Sequence, residues 1–214
     1  MENMKNSAGK PVLLKIISAI QEQKDYLSEV DGLIADGDHG MNMNKGFTMF
    51  ADKIKDMDLS FSSGLNILGN ILLSKIGGSM GPIYGTLFIS MAERGEEFEE
   101  IGLNALAAML DGGLAGLRDI VEADVGDKTL MDALIPANNV LQKNAKEGKG
   151  FAETLNEIKV AAVKGRDSTK DLTAKFGRSS RLGDRSRGVL DAGAVSCCII
   201  LCAMADGILE QTGA

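Results

Sequence analysis

Apolar residues recur at steps of three and four along most of this chain. In "PVLLKIISAIQEQKDYLSEV", Val12, Leu13, Ile16, Ile17 and Ile20 share one face, and the stripe continues to Leu27 and Val30. Met43, Phe47, Phe50 and Ile54 form a second stripe, and Leu65, Leu68, Ile71, Leu72 and Ile76 a third. The same spacing predicts helices over about 81–93, 99–120, 129–144, 151–166 and 192–209. No run alternates cleanly with a period of two. The pattern predicts an all-α chain of about eight helices.

The glycines fall into two groups. Gly112, Gly113 and Gly116 lie inside a helical stretch, where each costs roughly 1 kcal/mol against alanine and close helix packing is the usual reason. The others gather in the gaps, at Gly32, Gly37 and Gly40, at Gly77, Gly78, Gly81 and Gly85, at Gly126, and at Gly177, Gly183, Gly188 and Gly193. In an up-and-down bundle alternate gaps share one end, so these loops are expected to build one composite site. The segment 167–191 is the least regular and carries Arg178, Arg181, Arg185 and Arg187. It reads as a functional loop, although any one of those arginines taken singly is better explained as a solvated loop charge.

Composition narrows the class. The 214 residues, 44% of them hydrophobic, suffice for one core in a single domain over 1–214. A net charge of −7 argues against a broad nucleic-acid surface or an anionic membrane as partner, but not against a nucleotide. No early segment reads as a signal peptide. The apolar stretch "AGAVSCCIILCAMADGILE" is interrupted by Asp206 and falls short of a convincing span. The expectation is a cytoplasmic protein. Cys197, Cys198 and Cys202 read as small buried hydrophobes in a reducing compartment, since the sole histidine and the lack of a second cysteine group speak against zinc.

The candidate chemistry begins in "DGLIADGDHGMNMNKGF". Asp31, Asp36 and Asp38 cannot share one helical face, but they converge if Asp31 ends a helix and the other two lie on the following turn. Such oxygens suit magnesium. A polar turn in which Asp38 or Asn42 caps the next helix explains the same residues, and the composition leaves both open. "KIGGSMGPIYGT" offers backbone N–H groups before a helix, which suits phosphate, but it is not a Walker loop, and taken alone a plain helix–helix turn explains it better.

Taken together, "DGLIADGDHGMNMNKGF", "LLSKIGGSMGPIYGTLF", "VGDKTLMDAL" and "GRSSRLGDRSRGVLDAGA" closely resemble, in the same order, the nucleotide-binding (L) subunit of dihydroxyacetone kinase, of the phosphoenolpyruvate:phosphotransferase-dependent type. A similar unit forms the C-terminal domain of single-chain ATP-dependent dihydroxyacetone kinases. The resemblance covers essentially the whole chain, and His39 after the paired aspartates favours this branch over the fatty-acid kinase domain, which typically has threonine there.

The resemblance implies an up-and-down antiparallel barrel of eight helices, with ADP or ATP and two magnesium ions held by loops at one end. It implies that Asp31, Asp36 and Asp38 hold the ions and, with His39, form the catalytic group. His39, Gly40, Met41 and Asn42 would lie against the phosphates and metal site. Gly78, Ser79 and Met80 match a second nucleotide loop, Thr129 and Leu130 an adenine-side contact, Arg178 a nucleotide contact, and Asp191, Ala192 and Gly193 the last loop. Two positions depart from the common forms: Met80 replaces a usual serine and Ala192 a usual proline. ADP and three aspartates bring about six negative charges, which two magnesium ions and Arg178 offset by about five. A covalent role for His39 is not needed, because the metal-bound nucleotide already carries the phosphoryl group.

The implied function is passage of phosphate from the nucleotide to dihydroxyacetone held on a separate substrate-binding (K) subunit. Bound ADP would be rephosphorylated in place by a phosphohistidine-bearing phosphotransferase (M) subunit. Two alternatives stand beside it. One is ordinary ATP exchange, or a related ketose such as erythrulose, with Met80 marking altered nucleotide handling. The other is a binding module that reports nucleotide state to a transcription regulator.

Overall fold

The first apolar stripe does not form one helix. In the computed structural model, which describes residues 3–213, α1 (Lys10–Glu22) starts with Pro11 in its first turn, where the missing N–H has no helical partner to lose. Gln23 then leaves helical geometry (φ −97°, ψ 9°) and α2 (Lys24–Gly32) follows. The stripe stays buried across the break, from Val12 to Val30. The remaining helices are α3 (His39–Ile54), α4 (Phe61–Lys75), α5 (Met80–Gly95), α6 (Leu103–Arg118), α7 (Met131–Glu147), α8 (Phe151–Ser168) and α9 (Ala192–Thr212). Among the described residues this makes nine α-helices, against an expected eight, and the broken first helix accounts for the difference. α6 starts later than the pattern predicts because Glu100–Ile101 (β2) pairs antiparallel with Met4–Lys5 (β1), Met4 opposite Ile101.

Helices α3 to α9 pack each on the next, and α9 returns to α1, which itself packs on α3 and closes the ring. One continuous apolar cluster fills it, including Phe47, Phe50, Phe61 and Phe88. Burying each such ring stabilises the fold by about 1.5–3 kcal/mol. Glycine allows the tightest seams. A Cβ on Gly69 of α4 would lie 2.8 Å from the Gly85 carbonyl oxygen of α5, and one on Gly113 of α6 would lie 2.7 Å from the Met91 side chain. The helical glycines are therefore packing residues, as their spacing suggested.

The connections sort to two ends. At one end Asn6 is buried, its Nδ2 donating to the carbonyls of Gly95 and Phe98 while its Oδ1 accepts from Ser62 N–H. Lys10 Nζ donates there to the Lys55 and Met57 carbonyls. The α3–α4 and α5–α6 connections are thus pinned to the start of the chain. The α2–α3, α4–α5, α6–α7 and α8–α9 connections line a single shared cavity elsewhere. Among the described residues one helix, α9, is long and apolar enough to cross a membrane, but 72% of its apolar window is buried in the bundle, against α1, α7 and α8. It is the core helix. Cys197 and Cys198 are buried within it, Cys202 is partly so, and all three are free thiols.

Candidate functional site

Asp31 sits in the last turn of α2, and the chain reverses through Gly37, whose φ of +77° is disfavoured for residues with a Cβ. The Gly37 N–H donates to Asp31 Oδ2 at 2.8 Å. Asp38 occupies the N-cap position of α3, yet its side chain accepts no first-turn N–H. Instead Asp31, Asp36 and Asp38 each present an oxygen within 4.8 Å of the others. That convergence is what a metal needs and what capping does not explain. Burial holds the Asp31 carboxyl above its usual range, Asp36 and Asp38 push it further, and the N–H groups of His39 and Gly37 oppose the rise. Three hard carboxylate oxygens this close are a donor set that fits magnesium.

The aspartates open onto a cavity of about 350 Å³. His39 and Asn42 line it from α3, and Gly78, Ser79 and Met80 from the α4–α5 connection. Gly78 takes φ +69°, and a Cβ on Gly77 or Gly78 would meet nothing, so this loop faces open space. Met80 is the first residue of α5 and packs partly against the core. Thr129 and Leu130 enter from the α6–α7 connection, and Arg178, Asp191, Ala192 and Gly193 from the α8–α9 connection. Ile34, Ile83, Val121, Leu130 and Phe176 supply an apolar wall.

Arg178 forms an ion pair with Asp36. Among the described residues it is the one of the four loop arginines that lines the cavity. Arg187 instead donates from Nε to the Asp171 carbonyl. The loop itself is ordered by Ser186, whose Oγ accepts from Ala174 N–H and donates to the Gly183 carbonyl.

Gly40 and Met41 do not line the cavity. A Cβ on Gly40 would fall 2.0 Å from the Lys24 carbonyl oxygen, so that glycine lets α3 approach α2, and the Met41 side chain is exposed. Only their first-turn N–H groups, free at any helix start, remain available to the site.

Four residues around the cavity, Lys128, Asp132, Tyr84 and Ser196, were not singled out by the sequence, and they bear on two that were, Asp191 and His39. Lys128 is buried, with a positive φ of 61°, and donates to the carbonyls of Thr169 and Val189. Burial lowers its ammonium pKa, while Asp191, Asp132 and Asp171 oppose this. Asp132 is fully buried and accepts from the N–H groups of Gly126 and Thr129, which shapes the α6–α7 turn. Asp191 caps α9 by accepting from Ala194 N–H at 2.7 Å, and burial raises its carboxyl to about 7. His39 is enclosed enough that its pKa falls to about 4, and its Nε2 lies 2.8 Å from Ser196 Oγ. Ser196 in turn meets the Tyr84 hydroxyl at 2.7 Å. In sequence Lys128 and Asp132 lie within the block "VGDKTLMDAL", whereas Tyr84 and Ser196 look like ordinary helix-core positions.

A cavity walled by helix starts, glycine turns and a carboxylate triad combines groups that suit an anion with groups that suit a divalent cation. The DAK2 domain model matches residues 33–206. Over 188 residues the chain is 36% identical to the PEP-dependent dihydroxyacetone kinase 2, ADP-binding subunit DhaL, of Listeria innocua serovar 6a, covering 86% of this chain and 87% of that protein. It is 35% identical to the corresponding ADP-binding subunit of Escherichia coli K12, covering 81% of this chain and 83% of that one. The fold is also similar to the dihydroxyacetone kinase of C. freundii solved with AMP-PNP and Mg2+, with a TM-score of 0.68 and 22% identity, over 91% of this chain and 33% of that one. The chain belongs to the DAK2-domain family, among the L-type kinase subunits of dihydroxyacetone kinases.

Proposed function

We propose that this chain is the ADP-binding phosphoryl-transfer subunit of a dihydroxyacetone kinase, acting as a single domain over 1–214. The observation that carries this is the convergence of Asp31, Asp36 and Asp38 at the mouth of the loop-lined cavity. When bound, ADP supplies the phosphoryl carrier and two magnesium ions the positive charge that makes its transfer feasible. The chain's own residues position them. The three aspartates hold the ions, and the Arg178 guanidinium, now on Asp36, has a phosphate as its alternative partner. The N–H groups at Gly78 and Ser79 and the starts of α3 and α5 would serve the phosphates, since helix dipoles favour negative charge there. The apolar wall at Leu130 and Phe176 accepts the base. His39 and Asn42 lie on the phosphate and metal side, and Asp191, Ala192 and Gly193 close the last loop.

The DhaL relatives, matched along most of their length, support the finer reading. In it, bound ADP is rephosphorylated by a phosphohistidine-bearing (M) subunit, and the phosphate passes to dihydroxyacetone on a substrate-binding (K) subunit, in the cytoplasm. The test combines purified chain, Mg2+ and ADP with each partner subunit. Retention of ADP through dialysis and turnover driven by the phosphohistidine protein are expected. Easy loss of ADP, with turnover from free ATP alone, would refute the coenzyme role.

A further inference from the structure

The connection that brings Arg178 to the cavity runs from the end of α8 to Asp191 with no α-helix of its own. Two neighbouring residues of the α6–α7 connection fasten it. Lys128 Nζ donates to the carbonyls of Thr169, where the loop begins, and of Val189, near its end. The two sides of this neck also bind each other: Gly188 N–H donates to the Lys170 carbonyl at 2.7 Å, and Asp191 N–H to Thr169 Oγ1 at 3.0 Å. Further out, Lys175 gives its N–H to the Asp127 carbonyl at 3.2 Å and its Nζ to Asp127 Oδ1 at 2.6 Å.

Lys128 has the firmer of these grips. The Lys175 side chain is 62% exposed, and an ion pair so open to solvent contributes little. Lys128 is 1% exposed, and hydrogen bonds from a charged donor are roughly twice as strong as neutral ones. Asp132, Asp171 and Asp191 surround it with opposite charge. The Thr169 carbonyl also accepts Leu172 N–H at 3.3 Å, but the Val189 carbonyl has no other donor among the described residues. The backbone at Lys128 is strained as well. At φ 61° it is the one non-glycine residue with a positive φ among the described residues, whereas Gly126, two positions earlier, takes φ +95°. Glycine would adopt this turn at no steric cost. A lysine held there against its preference points to a task for the side chain.

We infer that Lys128 is a positioning residue: it clamps both ends of the α8–α9 connection and so holds Arg178 at the cavity. Resting on the proposed function, in which Arg178 meets a phosphate, this makes ADP affinity depend on Lys128. Two of its three N–H groups are committed to carbonyls, so it acts on the nucleotide through the loop.

Lys128→Gly removes the ammonium and leaves a residue that takes a positive φ freely. Calorimetry with Mg2+ and ADP compares this substitution in the wild-type and Arg178→Ala backgrounds, at a temperature where every variant is folded. We expect it to weaken ADP binding severalfold in the wild type and much less in Arg178→Ala, where the group it positions is already gone. An unchanged affinity in the wild-type background would overturn the inference, since a merely stabilising residue leaves the folded protein's affinity alone. An equal loss in both backgrounds would overturn it too. Should Lys128→Gly fail to fold, Lys128→Met, which keeps a long side chain without donors, carries the same comparison. The chain has no tryptophan, so Phe176→Trp places a single reporter on the loop and reads it without nucleotide. There Lys128→Gly is expected to open the tryptophan to acrylamide quenching, and unaltered quenching refutes the clamp. A wild type that binds no ADP refutes the proposed function instead and leaves the quenching result standing by itself.

Discussion

Asp38→Asn separates a metal site from a polar turn because the two predict opposite changes in the ligand-free protein. Asp31, Asp36 and Asp38 hold oxygens within 4.8 Å of one another, and Arg178 already offsets Asp36. The uncompensated repulsion is therefore mainly between Asp38 and Asp31. At that distance and an effective dielectric of about 40–80, it is about 1–2 kcal/mol, and salt reduces it further. Removing it should raise the melting temperature of the ligand-free chain by about 2–8 °C, given a few degrees per kcal/mol at this size. With Mg2+ and ADP at a hundred times their dissociation constant, the wild type should gain about 2.7 kcal/mol, and the variant should lose most of that gain. Thermal melts of both proteins with and without Mg·ADP read all four states. A ligand-free Asp38→Asn that melts lower, as a lost cap would, or that keeps the full Mg·ADP gain, refutes the reasoning.

Further outcomes follow from the same contacts. Arg178→Ala should weaken ADP binding severalfold by calorimetry while barely changing ligand-free stability, because its ion pair is exposed to solvent. Gly165→Ala should cost about 1–3 kcal/mol or more in denaturant titrations, since its Cβ would fall 1.9 Å from the Asp132 carbonyl oxygen. In the ligand-free chain two titrations oppose each other. Asp191, raised to about 7, favours the folded state at low pH and loses that stability as pH climbs from about 4 to 7. His39, lowered to about 4, contributes stability above about 6.5 that is lost as pH falls toward 4. The wild type should therefore be nearly flat between about pH 4 and 6.5. Asp191→Asn should leave the His39 slope unopposed, so stability rises with pH by at most about 1.4 kcal/mol per unit. An equally flat profile in the variant would refute the opposition.

Much of this was legible in the chain because it depends on local spacing. The stripes gave α3 to α9 within a few residues, and glycine clusters at alternate gaps placed four loops at one cavity. The break at Gln23 was not legible, since an unbroken apolar stripe continues across it and only the packing of α2 beside α3 bends the chain there. Gly40 looked like a phosphate-loop glycine, but its constraint comes from a carbonyl on another helix. Ser196 and Tyr84 were hidden for the same reason. Each sits at an apolar helical position, and only the meeting of α5, α9 and the start of α3 shows that their hydroxyls serve His39. Lys128 needed the α8–α9 connection for its two carbonyl partners.

The central claim is that this cavity holds a nucleotide through magnesium on the three aspartates. Equilibrium dialysis of the purified chain against ADP, with Mg2+ and then with EDTA, tests it most directly. The account predicts one ADP retained per chain with Mg2+ and its release by EDTA. No retention, or retention that EDTA leaves unchanged, would contradict it.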